Sequence, residues 1–146
     1  MNDLAFFDHV RAKLGRLSAL QVDGFNAVLK AIDGAPLSHR AYMLAASWHE
    51  TAATMQPVRE AFNLSENWRK NNLRYWPYYG RGFVQLTWDY NYKKADEECS
   101  DAGLFAPGAM IADLDLAMRC DVAAFILRRG MDEGWFTGKK NATYLP

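Results

Sequence analysis

The chain has no excess of charge of either sign. Its 146 residues carry 17 Lys plus Arg against 17 Asp plus Glu. A nucleic-acid-binding domain needs a basic surplus to neutralise phosphates, and this composition supplies none. Cysteine is scarce: Cys99 and Cys120 are the only two, and both fall inside helical patterns. Their spacing makes no zinc or redox motif. They read as reduced core residues, with a disulfide between them as the alternative. Histidine is scarcer than a metal site would need. His49-Glu50 begins like a zincin helix, but that motif puts a second His three residues after the Glu, and here that position is Ala53. His9 and His39 both lie upstream, so no metal and no cofactor is expected.

No apolar run approaches the roughly 20 residues of a membrane span. The first residues, MNDLAFFDHVRAK, lack the basic region followed by an apolar stretch that marks an exported chain. The expectation is a protein made in the cytoplasm, without membrane insertion. A target outside the membrane would then require a separate route of release. There are no internal repeats, no low-complexity stretch and no linker. With half its residues apolar, the chain is long enough for one sizeable core and too short for two domains, so residues 1–146 read as a single domain.

What is present in quantity is aromatic. Trp, Tyr and Phe make up 14% of the chain, with five Trp and seven Tyr. Most of these rings serve a core; some Trp and Tyr faces also suit the C–H faces of a pyranose sugar.

Periodicity predicts a mainly α architecture of six to eight helices with at most a small β element. Helices are expected over Asn2 to Leu14, Ala19 to Ile32 with Ser18 as N-cap, and Ser38 to Thr54 capped by Ser38. Pro57 prevents the third from continuing. Residues 55–75 read as loop with one or two short helical pieces. Phe83 to Thr87 alternates like a strand, with Val84 and Leu86 toward the core and Gln85 and Thr87 toward a cleft. Helices follow over Trp88 to Ser100 and Leu114 to Met131, with a loop from Leu104 to Asp113 between them. The last eight residues read as a tail.

The helix from Ser38 to Thr54 is apolar nearly all the way round, which predicts a buried central helix. Glu50 near its end would then be a costly buried carboxylate unless a site uses or pairs it. Two readings stay open. One is a salt bridge to Arg40, Arg59 or Arg81. The other is a general acid, made a better proton donor by apolar and aromatic neighbours such as Trp48. Glycoside hydrolysis ordinarily takes two carboxyl groups flanking the bond. Glu60, beyond Pro57, is the first candidate partner, with Glu66 and Asp89 as alternatives.

The segments AYMLAASWHETAATMQPVREAF and YYGRGFVQLTWDYNY, in this order and spacing, resemble the glycoside hydrolase family 19 catalytic domain. More closely they look like its short phage endolysin (lysozyme) branch, related to the family 19 chitinases. The resemblance runs from about Leu17 to Gly138. It implies a lysozyme-like single domain. It implies that Glu50, in the HET motif, is the general acid and that Glu60, in the QPVRE stretch, is the second catalytic carboxylate. Tyr79, Arg81, Gln85 and Thr87 would line the substrate cleft, Thr87 helping to hold the water, and Asn91 would contact sugar. The implied activity is hydrolysis of β-1,4 bonds in peptidoglycan or another β-1,4-linked amino-sugar polymer. Inversion is implied too, with carboxyl groups roughly 6.5–9.5 Å apart. The protein would act as a monomer on the cell wall after release through a holin-type pore. Chitin is the alternative substrate, and a non-catalytic sugar-binding module the alternative of a different class.

Two positions depart from the family pattern. Phe83 stands where chitinases commonly have Pro. The family also continues past the region of Lys139-Lys140 into a further helical segment that walls the cleft, whereas this sequence ends at Pro146. That wall is expected to be missing or supplied by other residues.

Overall fold

The computed structural model describes residues 3–145. Among them are eight α-helices, one 3-10 helix and a two-stranded sheet: a mainly α fold with a small β element. The helices are α1 (Asp3–Leu14), α2 (Ala19–Ala31), α3 (Leu37–Glu50), α4 (Glu66–Asn72), α5 (Asp89–Asp101), α6 (Ala109–Ala112), α7 (Cys120–Glu133) and α8 (Asn141–Tyr144). The 3-10 helix is Leu114–Met118. The strands β1 (Val58–Arg59) and β2 (Arg81–Gly82) pair antiparallel. Asn2, the expected start of α1, and Pro146, the end of the expected tail, lie outside the described residues. No described helix is long and apolar enough to cross a membrane.

The helix expected over Ala19 to Ile32 is α2, and it begins as Ser18 dictates. The Ser18 hydroxyl accepts from the Gln21 amide while the Gln21 side chain returns to the Ser18 N–H, a closed capping box. Its buried face presents Phe25, Val28 and Leu29. The central helix is α7 rather than α3. Val122, Ala123, Ala124, Ile126, Leu127 and Gly130 of α7 are all buried, and it packs against α2, α3, α5 and α8. Its two faces divide the core. One cluster joins Phe25, Val28, Ile32, Met43, Met55 and Leu127. The other joins Leu86, Tyr92, Cys99, Met110, Val122 and Ile126. Each such side chain removed from water contributes about 1.5–3 kcal/mol, so the helix shared by both clusters holds the domain together.

Several expectations are corrected. The long helix Leu114 to Met131 is two elements, because Arg119 is extended (φ −66°, ψ 132°) and the Asp113 carboxylate caps a separate 3-10 turn at the Asp115 amide. The loop before it contains α6, and the tail contains α8. Phe83 to Thr87 is not a strand. Gln85 (φ 55°) and Trp88 (φ 77°) take left-handed conformations, and Arg81 bridges back to Leu86, so the segment is a tight turn after β2. Phe83 and Leu86 are buried, while Val84 is only half-buried. Both cysteines are free thiols, so the disulfide is not formed.

Candidate active site

α3 begins at Leu37 with Pro36 at its cap position and no side-chain cap, so Ser38 is inside the helix rather than at its boundary. It ends at Glu50, four residues earlier than expected. The stop is made by backbone conformation: Ala52 (φ 48°), Ala53 (φ 66°) and Met55 (φ 51°) all occupy the left-handed region. Non-glycine residues rarely do so, and each costs of the order of 1 kcal/mol. Side chains offset that cost. The Thr51 hydroxyl donates to the Ser47 carbonyl (2.7 Å) and accepts from the Met55 amide (3.0 Å), and the Gln21 amide group donates to the Ala53 carbonyl (2.9 Å).

α3 is not apolar all round in its packing. Only His39, Met43 and Ser47, four residues apart, are buried, while Leu37 and Tyr42 are exposed. Glu50 is exposed as well, which corrects its expected burial. Trp48 stacks on Phe25 and belongs to the core. Neither Arg59 nor Arg81 pairs with Glu50: both are taken by Asp115, at 2.5 and 3.0 Å. Among the described residues Glu50 has no ion pair. Its carboxylate stands at a pocket of about 250 Å³ together with Tyr42, Val84, Met131, Lys140 and Tyr144. The wall facing Glu50 thus comes from the segment after α7. Asn141 anchors that segment, buried and donating to Asp132 (3.1 Å).

Glu60 follows β1 and is oriented on both sides. The Tyr75 hydroxyl donates to one carboxylate oxygen (2.6 Å) and the Gly80 amide to the other (3.0 Å). The bond to Glu60 pushes the Tyr75 hydroxyl up to about 12, so it remains a donor across the physiological range. A carboxylate has about four lone-pair sites, so two bonds leave capacity to accept a proton from water.

None of the other residues expected in the cleft lines the Glu50 pocket, and Tyr79 and Arg81 line a different concavity. Arg81 is buried; it donates through Nη1 to the Pro77 carbonyl (3.0 Å) and the Tyr92 hydroxyl (2.9 Å) while pairing with Asp115. Its guanidinium lies 3.8 Å from the centre of the Tyr79 ring. Tyr79 is buried and donates to Glu66 (2.8 Å). Gln85 donates to the Val58 carbonyl (3.2 Å) and Thr87 to the Gln85 carbonyl (2.7 Å). Asn91, also buried, donates to the Thr87 carbonyl (3.0 Å). This chain of side-chain-to-carbonyl bonds fixes the turn that presents Val84 beside Glu50.

The alternative carboxylates stand elsewhere. Asp89 pairs with Lys93 on the exposed face of α5. Glu66 accepts from Trp76 and Tyr79 in a different concavity from that of Glu50. Among the described residues no group of His, Cys, Asp and Glu could hold a metal ion. Sequence reasoning missed Tyr75, Tyr42 and Asp115. Tyr75 meets Glu60 across 15 positions and Asp115 meets Arg81 across 34, separations that carry no periodic signal. Comparison with known proteins gives no match to a family model, a curated protein or a solved structure.

Proposed function

We propose that the chain is an endolysin-type glycosidase cutting β-1,4 bonds of peptidoglycan. The observation that carries the reading is Glu50: a carboxylate with no ion pair among the described residues, standing at a pocket edged by Tyr42 and Tyr144. In this mechanism Glu50 protonates the leaving glycosidic oxygen. A bound glycan covers the pocket and supplies the desolvation that the free site lacks. Glu60, held by Tyr75 and Gly80, activates water or stabilises the oxocarbenium-like transition state. Chitin, built on the same bond, is the alternative substrate.

One observation favours a non-catalytic sugar-binding module instead: Glu60 does not line the pocket at which Glu50 stands. Turbidity clearing of peptidoglycan, with colloidal chitin in parallel, separates the readings. Removing a general acid costs about 10²–10⁴-fold in rate. Glu50→Gln should therefore abolish clearing, and equal clearing by wild type and Glu50→Gln would eliminate the enzyme.

A further inference from the structure

A larger concavity, about 750 Å³, is lined by residues of both strands together with the 3-10 helix. Its size is in the range of sites that hold a small ligand. The Glu60 carboxylate is bonded to Tyr75, whereas Pro57, Val58 and Arg59 line this cleft, Arg59 pairing there with Asp115. Neither Glu50 nor Glu60 lines it.

Its chemistry is mixed. Arg59, Glu66 and Asp115 keep 37%, 56% and 50% of their side chains exposed there. Arg69 and Arg81 are buried in its wall, each held in place by backbone carbonyls. Burial works to raise the Asp115 carboxyl, and the bonds from Arg59 and Arg81 outweigh it, leaving it below the ordinary range. Charges of both signs therefore face the cleft at neutral pH. The three arginines are matched by Glu66, Asp113 and Asp115, so the cleft is dipolar rather than charged. With three arginines against three carboxylates, the lining offers a polyanion no net attraction. Phe62, 67% exposed, adds an apolar shelf beside Leu64.

A ligand matching all three properties carries an ammonium, a carboxylate and alkyl groups. We propose that this cleft binds a short zwitterionic peptide, free or borne by the amino-sugar polymer; the polymer-borne source rests on the glycosidase reading.

The test is amide chemical-shift mapping with a synthetic tetrapeptide, Ala-γ-Glu-Lys-Ala, against chitotetraose. The peptide should shift residues 58–66 and 112–118, and chitotetraose should not. Phe62→Ala removes an exposed ring without touching the core and should weaken peptide binding about ten-fold. Absence of shifts in these segments at millimolar peptide, or unchanged affinity in Phe62→Ala, overturns the assignment. Glu50→Gln protein is then offered glycan strands with and without peptides. Preference for the peptide-bearing strand supports the polymer-borne source. Equal retention, with free peptide still bound, supports a free one. If wild type cleaves no glycan, the enzymatic reading falls while the peptide shifts stand. If cleavage is intact and the shifts are absent, the cleft assignment alone falls.

Discussion

Replacing Gly24 with Ala tests how the turn after Glu50 is held. Gly24 lies inside α2, where Ala is intrinsically the better helix former by about 0.8–1 kcal/mol. Propensity alone therefore predicts stabilisation. Packing predicts the reverse. A Cβ at Gly24 would stand 1.6 Å from the Met55 carbonyl oxygen and 2.7 Å from its carbon. Opening that contact to 3.0 Å displaces backbone by about 1.4 Å, an overpacking that costs about 3 kcal/mol. The Met55 backbone cannot withdraw cheaply, since its amide is bonded to Thr51 and its side chain is fully buried. The net is a loss of about 2 kcal/mol, or roughly 4–8 °C in Tm for a chain of this length. Thermal and urea unfolding followed by circular dichroism would measure it. A Gly24→Ala protein as stable as wild type, or more so, would refute the packing argument.

Other expectations are equally direct. Tyr75→Phe removes the hydroxyl that orients Glu60; kcat on peptidoglycan should fall about ten-fold with KM nearly unchanged, and unaltered kcat would show that the bond is only structural. Asp115 has a folded pKa below its ordinary 3.8, so the stability it contributes is complete above about pH 4 and is lost as pH falls through the lower folded value. Asp115→Asn should therefore differ from wild type at neutral pH and converge with it in acid; a constant difference in Tm down to about pH 2 would contradict this. Burial pushes the Cys99 thiol up to about 12, so a thiol reagent at about pH 8 should label it only on unfolding. Rapid stoichiometric labelling of native Cys99 would show that it is not buried.

Much of the fold was legible where local chemistry decides it. Ser18 announces the start of α2, whereas α7 runs past the expected Met131 to Glu133, where Gly134, left-handed at φ 79°, ends it. Two of the errors fall where non-glycine residues are left-handed, at Ala52, Ala53 and Met55 and at Gln85 and Trp88. No periodic pattern marks those positions: a bond from distant Gln21 and a local one to Thr51 hold the first group. Of the two carboxylates named from the sequence, Glu50 stands at a pocket that Glu60 does not line. The exposure of Glu50 was not legible. Apolar residues all round α3 suggested a core helix, but Leu37 and Tyr42 remain in solvent while α7 occupies the centre. Tyr75, Asp115 and the wall from Lys139 to Tyr144 depend on contacts distant in sequence.

The most direct measurement is hydrolysis of purified peptidoglycan by wild type and Glu50→Gln, with mass analysis of the released fragments. The proposal predicts β-1,4 cleavage products from wild type and at least about a hundred-fold loss in the variant. Identical fragments released at the same rate by both proteins would contradict it.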